Sequence, residues 1–160
     1  MSDHHVLKDF PFFKKLSEED MTSLFESLKE RRFEADTDII SDGEKGREMF
    51  ILLEGKVDII RSTLYGEKFV CASLDDSMKP VFGEMAMIDE DKRSATVHAV
   101  TSCRTLSIDD RAFNAYVEAH PKAGVELLRY ISVNLVRNMR LENENLNLVF
   151  QALIEEIESN

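Results

Sequence analysis

Between residues 32 and 108 the chain is cut into short runs rich in β-branched and aromatic residues, each closed by turn chemistry. An architecture of long helices does not accommodate that pattern. The runs are Asp38–Ser41, Met49–Leu53, Lys56–Arg61, Lys68–Leu74, Ala95–Val100 and Arg104–Ile108. Between them lie Asp42-Gly43, Lys45-Gly46, Glu54-Gly55, Tyr65-Gly66 and the polar cluster Asp75-Asp76-Ser77. Such pairs supply the special backbone angles and local hydrogen bonds that reverse a chain. Six or more short strands at this spacing predict an antiparallel sandwich, jelly roll or barrel. The expected fold is mainly β: a small antiparallel β-barrel or jelly roll over 32–108, with helices on either side.

Both flanks carry helical signals. In residues 1–31, Ser17-Glu18-Glu19-Asp20 resembles a capping box, and Met21, Leu24, Phe25 and Leu28 follow at helical spacing. Ahead of them Phe10-Pro11-Phe12-Phe13 is a dense apolar knot, read as a plug against whatever follows. In residues 109–160, Asp109 or Asp110 can cap a helix containing Phe113, Tyr116 and Val117, which stops at His120-Pro121. Pro121 then suits the first turn of a long helix toward Ile157. Along it Leu128, Leu135, Met139, Leu146, Val149 and Leu153 keep a near-heptad spacing, interrupted by Ser132 and Glu142. The three zones are read as one domain overall.

Charge and composition narrow the function. Twenty Lys and Arg face 31 Asp and Glu, a formal net charge of −11. That balance disfavours binding to nucleic acid or to an anionic membrane, both of which need a basic face. A small anionic ligand stays compatible, because charges beyond roughly 10 Å are screened. No run approaches a membrane span and the first nine residues lack a signal-peptide core, so a cytoplasmic location is expected. Cys71 and Cys103 show no CxxC or Cys/His clustering and are read as two buried thiols. No catalytic or metal-binding motif is present, and His98 alone falls in a predicted strand, so neither enzyme nor cofactor is expected.

One stretch stands apart: Phe82-Gly83-Glu84-Met85-Ala86-Met87-Ile88-Asp89-Glu90-Asp91-Lys92-Arg93-Ser94-Ala95-Thr96. A glycine opens a short helix over 83–88, and an Arg-Ser-Ala triplet then leads into a strand. N–H groups at such a helix start can meet a phosphate oxygen, Arg93 adds a fixed charge with a donor fork, and Ser94 adds a hydroxyl. Glu84 would repel a bare phosphate but suits a ligand that also presents a hydroxyl donor, such as a ribose 2′-OH. Phosphate beside ribose means a nucleotide. From spacing alone two plainer accounts compete: Arg93 pairing with Asp89, Glu90 and Asp91 in a solvated loop, and Glu84 favouring a helix dipole. Met85 and Met87 read as core filler.

This stretch resembles the phosphate-binding cassette of cyclic-nucleotide-binding domains, with the pattern F-G-E-x-A, a variable loop, then R-[S/T/A]-A-[T/S]. Gly83, Glu84, Ala86, Arg93, Ser94, Ala95 and Thr96 match. The likeness extends to Leu7–Leu16, to Asp42-Gly43 and Gly46, and to Phe50–Val57, covering residues 7 to 140. The resemblance, of the catabolite-activator and protein-kinase-A regulatory-subunit type, implies that Glu84 accepts from the ribose 2′-OH and Arg93 pairs with an exocyclic phosphate oxygen. Backbone N–H groups of Gly83, Glu84, Met85 and Ala86, and of Ser94 and Ala95, would complete the cradle. The base would be capped from the C-terminal helix, where Asn134, Asn138 and Met139 are the facing positions and Asn138 has the groups to read a purine edge. The ligand would be cAMP or cGMP, with cAMP expected first.

Two departures accompany the resemblance. Where the family usually has a glycine four residues before Gly83, this chain has Lys79, followed by Pro80. The sequence ends soon after the base-capping region, without room for a winged helix-turn-helix, so a stand-alone regulatory module acting on a partner in trans is expected. The alternative is a ligand-free relic scaffold serving as a dimerisation or interaction module. The run Leu148-Val149-Phe150, with Ala152, Leu153, Ile154 and Ile157, supports a homodimer through the C-terminal helix under either reading.

Overall fold

The computed structural model describes residues 4–159. The described chain divides into two compact units, one ending at Glu126 and one starting at Leu127, where the sequence suggests a single domain.

The first unit opens with α1 (His4–Leu7), a 3-10 turn over Pro11–Phe13 and α2 (Glu18–Glu26). Ser17 caps α2, its hydroxyl accepting from the Asp20 backbone N–H at 3.1 Å. Phe10, Phe12 and Phe13 are buried, as expected of an apolar plug. Eight strands follow: β1 (Lys29–Phe33), β2 (Thr37–Ile40), β3 (Glu48–Glu54), β4 (Lys56–Ser62), β5 (Lys68–Asp75), β6 (Val81–Phe82), β7 (Thr96–Ala99) and β8 (Cys103–Asp109). They form two antiparallel four-stranded sheets, ordered β1-β8-β3-β6 and β2-β7-β4-β5. The barrel half of the expectation is corrected: each sheet keeps two edge strands, and the architecture is a two-sheet jelly-roll type. The helical reading of the N-terminal segment is corrected too, since Lys29, Glu30 and Arg31 belong to β1.

Between the sheets, Phe50, Leu52, Phe82 and Cys103 meet Ile40, Val57, Val97 and Ala99. Phe50 and Phe82 stack with ring centroids 5.6 Å apart. Side chains alternate along a strand, so Met49, Ile51 and Leu53 point to the opposite face of β3, and they are buried as well. A continuous apolar run therefore marks a strand covered on both sides. Its neighbour β8 places Thr105 and Ser107 on the inner face. Both are fully buried and both are satisfied, by the Arg31 carbonyl and the Glu48 carboxylate. By contrast β5 is an edge strand exposed along most of its length, and Cys71 upon it is an exposed thiol, not the buried one expected.

After β8, α3 (Asp110–Ala119) is capped by Asp109, whose carboxylate accepts from the Ala112 N–H at 2.8 Å. α4 (Pro121–Glu158) starts at its proline and continues without a break. In the second unit this helix passes straight through Glu142-Asn143-Glu144-Asn145, and every residue from Val136 to Ser159 is exposed. No helix among the described residues is long and apolar enough to cross a membrane.

Candidate functional site

The cassette is held by the start of β3, the end of β6 and the loop before β7. Gly83 closes β6 with φ 75°, a left-handed conformation in which a side chain would be strained. It opens a 3-10 turn over Glu84–Met87, tighter than an α-helix. The Ala86 N–H already donates to the Gly83 carbonyl at 3.2 Å. Met87 is buried as core filler, but Met85 is 45% exposed and is not.

Arg93 is the centre of the corner. Its backbone pairs with the β2–β3 loop, N–H to the Glu44 carbonyl at 2.8 Å and carbonyl from the Gly43 N–H at 2.9 Å. Its guanidinium turns inward and donates to the Glu48 carbonyl at 2.5 Å and the Gly83 carbonyl at 3.1 Å. The plainer account, a side chain pairing with Asp89, Glu90 and Asp91 in solvent, is therefore not what the structure contains. One residue ties three separate segments, and two of its five N–H donors are occupied by these carbonyls.

Electrostatically the corner is tense. Burial pushes the Glu84 carboxyl above its ordinary value, against smaller downward pulls from its own backbone N–H and from the charge of Arg93. Burial likewise lowers the Arg93 pKa, opposed by Glu48, Glu84 and Glu44. Both charges are thus held partly out of water, with dipoles and each other for company. Ser94 is exposed and Ala95 half-buried beside it, and the Thr96 hydroxyl accepts from the Asp42 N–H at 3.0 Å, pinning the loop to the start of β7.

A sequence model described as "Cyclic nucleotide-binding domain" matches residues 30–120, more than half of the chain. The chain belongs to the cyclic nucleotide-binding domain family. It is similar to the cAMP-dependent protein kinase regulatory subunit of Mycosarcoma maydis, 33% identical over 124 residues, covering 74% of this chain and 23% of that protein. It is also similar to the CRP-like cAMP-activated global transcriptional regulator of Mycobacterium tuberculosis, 27% identical over 146 residues, covering 91% of this chain and 62% of the relative. The crystal structure of Thermus thermophilus catabolite activator protein superposes with a TM-score of 0.77 at 25% identity, over 87% of this chain and 62% of that one. The chain thus spans under two thirds of the length of each.

Within this cyclic-nucleotide-binding fold, Gly83, Glu84, Met85, Ala86, Arg93, Ser94 and Ala95 fall in one corner. Asn138 lies in the second unit, exposed on α4, as does Met139, while Asn134 is half-buried. The Lys79 departure has a structural answer. The turn over Asp76–Met78 is capped by Asp75 and ends with Lys79 at φ 51°, so a lysine takes the left-handed conformation usually given to glycine. Its ammonium lies 5.6 Å from the Phe10 ring. One group was missed from sequence, the Glu48 carbonyl, because a backbone acceptor leaves no trace in residue identity.

Proposed function

We propose that this chain is a cyclic-nucleotide sensor, binding cAMP or cGMP in the cassette and passing the event through its C-terminal helix to a protein partner in trans. The observation that carries this reading is the half-buried Glu84–Arg93 pair, two opposite charges kept partly desolvated in a corner of a cyclic-nucleotide-binding fold. The arginine retains donors for a phosphate, and the carboxylate offers an acceptor for a ribose hydroxyl. Amides of Gly83, Glu84, Met85 and Ala86, with Ser94 and Ala95, would surround the phosphate. Two of the three relatives named above carry cAMP in their names, which supports cAMP as the first ligand to test. The module catalyses no reaction; it works because the ligand binds one of its conformations more tightly than the other. Two free thiols fit a cytoplasmic setting.

Calorimetric titration with cAMP and with cGMP tests the reading. Saturable binding of either by the wild type supports it, and absence of binding at millimolar ligand sinks it.

A second reading is favoured by one specific observation. Leu146, Leu148, Val149, Phe150, Leu153, Ile154 and Ile157 are all about half exposed or more on one continuous helix. Apolar side chains at that density are characteristic of an interface. We take the partner to be a second copy of the same helix, so that the module is a homodimer with or without ligand. Light scattering on the full chain and on a chain ending at Asn147 separates the two: equal masses remove the dimer-helix proposal.

A further inference from the structure

Gly46 lies in the β2–β3 loop against the side chain of Arg93. A Cβ built on it would be 1.8 Å from Arg93 Nε, 2.4 Å from Cζ and 2.5 Å from Nη2. Nothing real approaches that closely, so a side chain at 46 and this placement of the guanidinium exclude one another. Gly46 is not among the glycines with positive φ, unlike Gly43, Gly55, Gly66 and Gly83. Its backbone is therefore open to any L-residue, and the glycine is needed for space, not for conformation. The space is filled by the group that the cassette would turn to a phosphate.

We propose that Gly46 is a positioning residue for the nucleotide site: its missing side chain is the slot that seats the Arg93 guanidinium between the Glu48 and Gly83 carbonyls. The proposal rests on the cyclic-nucleotide reading for its ligand, but the seating itself concerns only this chain. Two carbonyls fix the plane of the guanidinium, and Gly46 forms a third wall beside it. With two donors engaged and the plane set, the remaining N–H groups are held in fixed directions, so a phosphate meets donors that are already oriented. A methyl group at 46 displaces only the far end of a flexible side chain, so the fold adjusts while the fork loses its aim. Replacing glycine by alanine where φ is ordinary also restricts the unfolded chain and favours folding by itself.

The test combines nucleotide affinity with side-chain NMR on the full chain. Gly46→Ala is expected to keep the wild-type melting temperature to within a few degrees and to weaken cAMP or cGMP binding about tenfold or more. In an Arg93→Lys background, whose side chain has neither Nε nor Cζ at that point, the same substitution is expected to change affinity less than twofold. In the nucleotide-free protein the Arg93 Nε–H resonance is expected to shift, and its exchange with water to quicken, in Gly46→Ala. An unmoved Arg93 resonance overturns the proposal even if no nucleotide binds, a result that would separately defeat the sensor reading. Equal loss of affinity in the Arg93→Lys background overturns it as well, as does unchanged affinity in Gly46→Ala of a nucleotide-binding wild type.

Discussion

Two half-buried polar corners of the first unit contrast sharply. At the foot of α3, the His120 ring lies between Asp20 and Ser23 of α2, with Nδ1 at 3.0 Å from the Asp20 carboxylate and Nε2 at 2.9 Å from the Ser23 hydroxyl. Tyr116 stacks on that ring and donates its hydroxyl to the Asp20 carbonyl at 2.8 Å. Burial holds the Tyr116 phenol far above its ordinary pKa, so it stays protonated as a donor. The order serine, imidazole, carboxylate is that of a hydrolytic relay. The 270 Å³ groove alongside, however, is lined by Asp20, His120, Pro121, Lys122 and Ala123 and not by Ser23. Here donors and acceptors answer one another, and the result is a brace that fastens the α3–α4 joint to α2. In the cassette, Arg93 is answered by two backbone carbonyls and Glu84 chiefly by desolvation. A balanced network fixes structure; an unbalanced one keeps capacity for a ligand.

Breaking the contrast at its strongest point means Arg93→Ala. Losing a charge-assisted contact to the phosphate is expected to cost about 1.5–3 kcal/mol of binding, roughly ten- to a hundredfold in Kd by calorimetry. Because the same side chain ties two carbonyls, urea denaturation is also expected to show lower stability. Next comes His120→Ala, which removes two bonds of the brace and is expected to cost about 1–2 kcal/mol of stability. Nucleotide affinity of that variant is expected to stay within a factor of two. A large affinity loss in His120→Ala would erase the distinction between the corners.

Glu84→Gln sharpens the comparison from the other side. Since the folded carboxyl binds its proton more tightly than the ordinary value of 4.5, the folded state holds more protons in that window. Stability conferred by protonated Glu84 is present at low pH and lost as pH rises from about 4.5 through the raised folded value. Glu84→Gln is therefore expected to be more stable than wild type near neutrality and to flatten that decline in pH-dependent urea titrations. Binding is expected to weaken by about 1 kcal/mol, since an amide oxygen is a poorer acceptor for a ribose hydroxyl than a carboxylate. The smallest effect belongs to Ser94→Ala: about 0.5 kcal/mol in affinity for one neutral hydroxyl, with stability unchanged because Ser94 is exposed.

What could be read in advance divides along physical lines. Strands such as β3 and β4 carry their signal in side chains and fell within a residue or two of expectation. β1 did not, because Lys-Glu-Arg-Arg-Phe has no apolar alternation. It is a strand through its pairing with β8 and an ion pair of Arg31 with Glu48, both distant in sequence. The two-residue β6 is too short to carry any period. Open sheets in place of a closed barrel depend on which edges meet, and no local pattern encodes that. In the cassette, glycine, carboxylate and arginine were legible as types. The inward turn of Arg93 depends on the Glu48 and Gly83 carbonyls, which every residue possesses.

The exposed thiol on β5 has a practical consequence. Cys103 is buried and burial raises its pKa, so little of it is thiolate at neutral pH. Cys71 stands on the solvent side of an edge strand. A maleimide dye added to the unaltered chain would attach at Cys71 alone, giving a single optical label on the exposed sheet edge.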